Sequence, residues 1–252
     1  MSLKQTTVLY NVQDGVATIT MNRPHVKNAI NTEMHEELYE AFLAARKDGD
    51  VKVILLTGIE GSFSSGADLK SIPVKEMKSF DYGAYLESTY NKLIMLIDSI
   101  EKPTVAHMNG TAVGAGLSLA LACDFRFADP GIKIALSFLH IGLTPDAGAS
   151  YFLPRIIGFA KALELALGDT IDSEEALRIG LIQDIGHPEK LIHALTRVPM
   201  PAYSSMKQNM KAGTVLPLRQ VLDAEVTAQR AAGKSKDHHR AIQAFLKRSV
   251  TK

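Results

Sequence analysis

Three stretches of the sequence carry residue types that could do chemistry. The first, residues 109–124, opens with the turn pair Asn109-Gly110 and runs through Gly114-Ala115-Gly116 into an apolar segment. Nothing larger than a methyl group projects from residues 114–116, so a ligand can reach the main chain there. The first N–H groups of a helix lack internal acceptors and lie at the positive end of its dipole. This stretch predicts a site for a phosphate, a carboxylate or a developing oxyanion, with a glycine-eased contact between helix and strand as the alternative.

The other two stretches are also turns of small residues before predicted helices. Residues 61–70 contain Ser65-Gly66-Ala67-Asp68, and residues 142–149 contain Thr144-Pro145-Asp146-Ala147. From the residues alone, Asp146 fits either a catalytic carboxylate or the N-cap of a helix beginning at Ala147.

The elements that must position these stretches alternate between strands and helices over the first 140 residues. A hairpin with its turn at Asp14-Gly15 is predicted over 6–21, strands over 51–57 and 104–108, and a long helix over 81–100. Asn31 or Thr32 can cap a helix whose apolar stripe is Met34, Leu38 and Phe42, with Glu36, Glu37 and Glu40 on the solvated face. Residues 71–80 lack periodicity and are expected to form a mobile surface segment.

The C-terminal part is helical in pattern. The order of elements predicts an α/β layer core over residues 1–190 and a helical, locally basic region over 191–252. Such a region usually covers the core or packs on a sister subunit.

Composition excludes several functional classes. Among 252 residues, 46% are hydrophobic and 22% charged, and the net charge of +1 gives no general electrostatic case for binding nucleic acid or a membrane surface. The single cysteine, Cys123, allows no internal disulfide and no cysteine-based metal site, which favours a reducing compartment. Because we find no signal segment and no transmembrane run, we expect a cytoplasmic protein.

Several motifs together resemble the crotonase (enoyl-CoA hydratase/isomerase) superfamily. They are Ser65-Gly66-Ala67-Asp68-Leu69-Lys70, the Asn109–Gly116 motif, Leu119-Ala120-x-Ala122-Cys123-Asp124, the Asn22-Arg23-Pro24…Asn28-Ala29 loop and the tail Ala244-Phe245-Leu246-Lys247-Arg248. The match covers nearly the whole chain in the right order, although the segment 181–203 is more compact than is usual in the family.

The resemblance implies a spiral core of ββα units, a helical C-terminal trimerisation region and acyl-CoA thioester substrates. It also implies an oxyanion hole formed by the main-chain N–H groups of Ala67 and Ala115. Proton removal from C2 of a thioester places negative charge on the thioester oxygen, and two aimed N–H donors would stabilise that enolate.

The resemblance further indicates which reaction to expect. Family hydratases use two glutamates, at positions occupied here by Ser118 and Phe138, and neither residue can replace them as acid or base. Asp146 instead matches the acidic position of family isomerases, which move a double bond by a 1,3-proton shift. Phe138 would then be an apolar wall that excludes water and raises the pKa of Asp146. We therefore expect an isomerase acting from 3-enoyl-CoA to 2-enoyl-CoA, with Asp146 as its single acid and base.

Alternatives remain open at this stage. A hydratase is the nearest rival, and an Asp at this position could also be a nucleophile, as in aryl-CoA dehalogenases of the family. A non-catalytic acyl-CoA binder or an RNA-binding relative belongs to a different class, although the Glu-rich first helix argues against RNA. A serine–histidine triad lacks the required strand–Ser–helix elbow, and His238-His239 has no further ligands for a metal.

The resemblance also implies a set of substrate contacts. Coenzyme A enters as part of the substrate and no separate cofactor is expected; the assembly is expected to be a homotrimer or a dimer of trimers. The residues expected to contact the substrate or its coenzyme A part are Lys27, Ala29, Ser65, Gly66, Asp68, Leu69, Gly114, Ser118, Phe138 and Lys247.

Overall fold

The computed structural model of the chain describes residues 6–59, 61–71 and 79–249. The segment 71–80, for which mobility is predicted, lies outside the described residues at 72–78. The chain divides into two compact units, Met1–Thr196 and Arg197–Lys252.

A six-stranded sheet forms the centre of the first unit. The predicted hairpin is confirmed: its strands pair antiparallel, and Asp14 and Gly15 both adopt left-handed conformations at φ 52° and 78°. Every later neighbouring pair in this sheet is parallel. In spatial order the strands are β1 (Val8–Gln13), β2 (Val16–Met21), β3 (Val53–Gly58), β5 (Thr104–Met108), β7 (Phe125–Ala128) and β9 (Asp184–Ile185).

A smaller parallel sheet explains the winding of the chain. Its three strands are β4 (Ser62–Ser64), β6 (Thr111–Val113) and β8 (Ile134–Ala135). Each of them directly follows a strand of the large sheet, so the chain passes from β3 to β4, from β5 to β6 and from β7 to β8. The result is a spiral in which each turn contributes one strand to each sheet and then runs on into helical segments, as the resemblance implies.

Eight helices of the described chain belong to the first unit. In the first of them, α1, the Asn31 side chain accepts a hydrogen bond from the Met34 N–H at 3.0 Å, and the stripe of Met34, Leu38 and Phe42 is fully buried, as predicted. The helices are α1 (Thr32–Lys47), α2 (Tyr82–Ser88), α3 (Tyr90–Ser99), α4 (Ala115–Ala122), α5 (Ala149–Ile157), α6 (Phe159–Ala166), α7 (Ser173–Arg178) and α8 (Glu189–Leu195).

Two local predictions were wrong. The long helix over 81–100 is two helices, because Thr89 between them has the non-helical angles φ −120° and ψ −87°. Glu37 is half-buried rather than solvated, since its carboxylate accepts hydrogen bonds from Thr7 and Val8 N–H at 2.8 Å. The helix predicted after the turn at 61–70 stays a prediction: the chain forms a 3-10 turn at Leu69–Ser71, and the residues that follow lie outside the described ranges.

The second unit consists of helices α9 (Met200–Gly213), α10 (Leu218–Gly233) and α11 (Lys236–Ser249). Several of its large apolar side chains are exposed, including Leu218, Leu222 and Val226 on α10. Within the described residues, no helix combines the length and the apolar character needed to cross a membrane.

Candidate active site

The two small-residue turns lie side by side. Strands β4 and β6 are parallel neighbours, with Ser64 paired to Ala112, so the turns that follow them emerge at the same edge of the small sheet. Gly66 permits the close approach: its φ is 94°, and a Cβ there would lie 2.9 Å from the Val113 carbonyl oxygen and 3.5 Å from the Ala115 nitrogen. A side chain at position 66 would therefore push the turns apart.

Both turns present a main-chain N–H that has no acceptor within the described part of the chain. Ile30 bridges to the strand around Ala67 through the Gly66 carbonyl and the Asp68 N–H, which leaves the Ala67 N–H facing the opposite side. Ala115 is the first residue of α4, so its N–H has no acceptor inside the helix. These are the two donors that the resemblance assigns to an oxyanion hole.

The loop carrying Asn28 holds the first turn in place. The Asn28 side chain is fully buried and donates to the Ser62 carbonyl at 2.6 Å, while the Ser64 hydroxyl donates to the Asn28 carbonyl at 2.8 Å. Arg23 adds an ion pair with Asp68 at 2.8 Å and a hydrogen bond to the Ala29 carbonyl at 2.6 Å. These contacts hold the turn in its conformation in the absence of a ligand.

A cavity of about 600 Å³ opens in front of the two turns, within the usual range for small-molecule sites. Most of the described wall is apolar or aromatic, and the acidic side chains among the described lining residues are those of Asp68 and Asp146. Among the described residues it is lined by Thr32, Ser65, Gly66, Ala67, Asp68, Leu69, Phe80, Tyr82, Gly83, Tyr85, Leu86, Tyr90, Val113, Gly114, Ala115, Ser137, Phe138, Ile141, Leu143, Thr144 and Asp146.

Asp146 is not a helix cap. Ala147 and Gly148 both have left-handed conformations, with φ of 50° and 81°, so helix α5 begins at Ala149 and Gly148 is its N-cap. The Asp146 Oδ1 is buried and has no hydrogen-bond partner in the ranges that the structure describes. Burial raises the pKa of Asp146 to about 6. A carboxyl group in this state can exchange a proton near neutral pH.

Ser118 and Phe138, which occupy the positions of the two glutamates of family hydratases, have different surroundings. Phe138 lines the cavity, is 7% exposed and approaches Gly114, where an added Cβ would lie 3.9 Å from its ring. Ser118 is fully buried within α4, and its hydroxyl donates to the Gly114 carbonyl at 3.3 Å. The cavity lining includes Phe138 and Gly114 but leaves out Ser118.

The structure brings together most, though not all, of the residues expected to contact substrate. Ser65, Gly66, Asp68 and Leu69 line the cavity beside Ala67, whereas the buried Ala29 and the exposed Lys27 are outside its lining.

Lys247, also expected to contact substrate, lies on α11 in the second unit, with an exposed side chain.

Sequence reasoning missed two tyrosines of the site. Tyr85 and Tyr90 line the cavity from α2 and α3. In the sequence, an aromatic residue of a predicted helix indicates only packing against the core. Which aromatic rings contact the cavity depends on how the helices are placed around it. Two other titratable side chains, those of His140 and Glu87, are exposed and do not line the cavity. Across the described ranges, no group of three or more His, Cys, Asp or Glu side chains could hold a metal ion.

Comparison with known proteins places this geometry in context. The sequence profile of the family Enoyl-CoA hydratase/isomerase matches residues 11–251. A Rhodobacter capsulatus protein named "Probable enoyl-CoA hydratase" is 37% identical over 96% of this chain and 95% of its own length. The 1,2-epoxyphenylacetyl-CoA isomerase of Escherichia coli is 35% identical over 95% of each chain.

A solved structure agrees with the fold. The crystal structure of a protein from Mycobacterium abscessus, described as an enoyl-CoA hydratase/isomerase, superposes with a TM-score of 0.89 at 35% identity and covers 96% of both chains. The spiral of paired strands, the adjacent turns and the cavity carboxyl group thus occur in a chain whose sequence and fold both match one family. The chain belongs to the enoyl-CoA hydratase/isomerase (crotonase) family.

Proposed function

We propose that this chain is an acyl-CoA isomerase that converts a 3-enoyl-CoA into the 2-enoyl-CoA. The observation that carries the proposal is the state of Asp146: a cavity carboxyl group with a buried, unpartnered Oδ1 and a pKa raised to about 6 by burial. The other acidic side chain of the described lining, Asp68, is held in an ion pair with Arg23 at 2.8 Å. Within the described lining, Asp146 is then the carboxyl group suited to moving protons.

The proposed reaction moves one proton and one double bond. The Asp146 carboxylate takes the proton from C2, and the electron pair of the broken C–H bond forms a dienolate whose thioester oxygen becomes negative. The N–H groups of Ala67 and Ala115 donate to that oxygen. The protonated Asp146 then returns the proton at C4, which places the double bond between C2 and C3 and regenerates the carboxylate. No water is consumed, and the atoms balance.

The two N–H donors supply the largest stabilisation in this scheme. They are fixed by the small sheet and by the buried Asn28, so little reorganisation is needed as the charge develops. Removal of one such donor typically costs about 3–4 kcal/mol in activation free energy. Phe138 closes the cavity beside Gly114 and keeps the surroundings apolar, which supports a carboxyl group that is protonated for part of the cycle.

Hydration is the nearest rival, since one of the relatives described above carries a hydratase name. Adding water to a 2-enoyl-CoA requires a base for the water and an acid for C2. The positions where the resemblance places the two hydratase glutamates hold Ser118, whose hydroxyl is bonded inside α4, and Phe138. These substitutions support isomerisation over hydration.

The remaining parts of the proposal concern coenzyme A and assembly. Coenzyme A is proposed to enter as part of the substrate and to contact the loop of Lys27 and Ala29, with Lys247 supplied by a neighbouring subunit. The exposed apolar side chains of α10, which include Leu218 and Leu222, support the proposal that the second unit assembles subunits into a trimer or a dimer of trimers. A cytoplasmic location remains a prediction.

A spectrophotometric assay with paired esters tests the proposed reaction. A 3-enoyl-CoA should gain the absorbance of a conjugated thioester, whereas the matching 2-enoyl-CoA should keep it. Asp146→Asn should stop the gain without weakening binding of the ester, and Asp169→Asn, at an exposed position, should leave the rate unchanged. Loss of absorbance with the 2-enoyl ester would instead identify hydration. Binding without any change of absorbance would favour a non-catalytic acyl-CoA binder.

A further inference from the structure

Aromatic side chains are concentrated in the wall of the cavity. Five of the 21 described lining residues are Phe or Tyr, whereas aromatic residues make up 6% of the whole chain. Four of these five lie within residues 80–90, namely Phe80, Tyr82, Tyr85 and Tyr90. One short segment around α2 therefore supplies most of the aromatic wall. We call Phe80, Tyr82 and Tyr85 the ring cluster.

The rings of the ring cluster meet at steep angles. The centroids of Phe80 and Tyr82 are 4.8 Å apart, with an interplanar angle of 75°. Those of Phe80 and Tyr85 are 5.6 Å apart, with an angle of 53°. These separations lie in the range of about 4.5–7 Å in which the edge of one ring attracts the face of another. Because the planes are inclined, the ring cluster forms a corner of the cavity wall rather than a flat stack.

Two buried rings pack on the core side of this corner. Tyr90 is 1% exposed, and its ring lies 6.2 Å from that of Tyr85 and 3.9 Å from that of His35, centroid to centroid. Tyr90 and His35 are thus supports that fix the position of Tyr85. Phe80, Tyr82 and Tyr85, by contrast, line the cavity and each keep part of the side chain accessible. Within residues 79–90, the aromatic surface that a ligand can reach therefore belongs to the ring cluster.

The ring cluster distinguishes between two kinds of apolar ligand. An alkyl chain gains mainly the burial of its surface, which the aliphatic lining residues Leu69, Leu86, Ile141 and Leu143 provide equally well. An aryl group gains the same burial and, in addition, the attraction between ring edges and ring faces. The cavity of about 600 Å³ has room for such a group, since a cavity of about 150 Å³ is enough for benzene.

We propose that the ring cluster binds an aromatic ring of the acyl group, which makes Phe80, Tyr82 and Tyr85 specificity-determining residues. The substrate class is then acyl-CoA thioesters whose acyl chain carries an aryl group. The position of the aryl group beyond C4 rests on the proposed function, because C2, C3 and C4 take part in the proton shift. The contact is between aromatic surfaces and needs no hydrogen bond from a tyrosine hydroxyl.

Binding of saturated esters to the unmodified chain tests this proposal without turnover. The probes are pentanoyl-CoA, 5-phenylpentanoyl-CoA and 5-cyclohexylpentanoyl-CoA, and the readout is Kd by calorimetry. The two ring-bearing esters are matched in size, and burial of apolar surface alone predicts that the cyclohexyl ester binds at least as tightly as the phenyl ester. We expect the phenyl ester to bind about tenfold more tightly than the cyclohexyl ester, through its contacts with the ring cluster. Equal affinities, or a preference for the cyclohexyl ester, would overturn the proposal.

A substitution in the ring cluster assigns the preference to these residues. Phe80→Leu removes one ring but keeps an apolar side chain, so it should lower the preference for the phenyl ester about threefold and leave the affinity for free coenzyme A unchanged. Phe159→Leu is the matched control, because Phe159 is 70% exposed on α6 and is not among the lining residues; it should keep the full preference. An undiminished preference in the Phe80→Leu chain would overturn the assignment. An equal loss of affinity for free coenzyme A would also overturn it, since the ring cluster would then contact the nucleotide.

The aryl-binding proposal and the proposed function can fail separately. If the chain isomerises no 3-enoyl-CoA, including 5-phenylpent-3-enoyl-CoA, but prefers the phenyl ester in binding, then the isomerase proposal fails and the aryl contact stands. Turnover of unbranched 3-enoyl esters without any preference between the phenyl and cyclohexyl esters would have the opposite meaning.

Discussion

Ionisation of the Asp146 carboxyl group should lower the free energy of unfolding of the chain, and this decrease can be measured. Burial raises the pKa of Asp146 from 3.8 to about 6, which means that the folded chain disfavours the carboxylate relative to the unfolded chain. Asp146→Asn removes the charge and keeps the shape of the side chain. We therefore expect the variant to be more stable than the unmodified chain at neutral pH, although it is inactive.

The size of the effect follows from the change in the pKa. A tenfold change in a protonation equilibrium corresponds to about 1.4 kcal/mol, so a rise from 3.8 to about 6 gives an upper limit of about 3 kcal/mol. Asp146 lies at the wall of an open cavity and is partly exposed, and water screens part of this cost. The expected gain in the free energy of unfolding at pH 7 is about 1–2 kcal/mol.

The stability gained by the Asp146→Asn variant should depend on pH in one direction only. Below about pH 4 the side chain of Asp146 is protonated in both folded and unfolded chains, so the variant should have no advantage. As the pH rises through the window from about 4 to about 6, the unfolded chain ionises first and the unmodified protein loses stability relative to the variant. Above this window the advantage should be constant.

Urea unfolding at fixed protein concentration, followed across this pH range, measures the effect. Asp169→Asn is the matched control, because the side chain of Asp169 is exposed and its charge should have no such cost. An Asp146→Asn variant that is equally stable or less stable than the unmodified chain at neutral pH would show that Asp146 is not a desolvated carboxyl group. The reasoning for its role as a proton carrier would then fail.

Three further predictions follow from the site and its supports. The value of kcat/KM for a 3-enoyl-CoA should rise with pH through about 6, as Asp146 ionises to the base, and a pH–rate profile without this rise contradicts the assignment. Gly66→Ala should lower kcat about 10²-fold with a smaller change in ester affinity. The reason is that residue 66 has a φ of 94° and an added Cβ would lie against the Val113 oxygen, so the turn must move. Stopped-flow rates measure the effect on kcat, and calorimetry measures the effect on affinity. Asn31→Ala should lower the free energy of unfolding by about 1 kcal/mol in urea, through loss of the bond from the Met34 N–H, and an unchanged value would refute its role as a cap.

The features that could be predicted from the sequence are those set by local physics. The turn at Asp14-Gly15 and the stripe of Met34, Leu38 and Phe42 follow from the conformational preferences of a few neighbouring residues and from helical periodicity. The same holds for the small-residue entries to the site, since residues without bulky side chains leave the main chain accessible wherever they occur.

The features that escaped prediction depend on distant parts of the chain. Two strands of the small sheet, β4 and β6, have three residues each, too short for any periodic pattern to indicate them. The helix break at Thr89 has no Gly or Pro to signal it. The choice between the two roles of Asp146 depended on the conformation of Ala147. Its left-handed φ of 50° delays the start of the helix, and the residue type alone does not indicate such a conformation.

The mass of the product formed from a 3-enoyl-CoA tests the central claim most directly. If Asp146 moves one proton between C2 and C4, the product has the same mass as the substrate and its double bond lies between C2 and C3, by mass spectrometry and absorbance together. The Asp146→Asn chain should then form no product while still binding the ester. A product heavier by one water molecule, or undiminished product formation by the Asp146→Asn chain, would contradict the account.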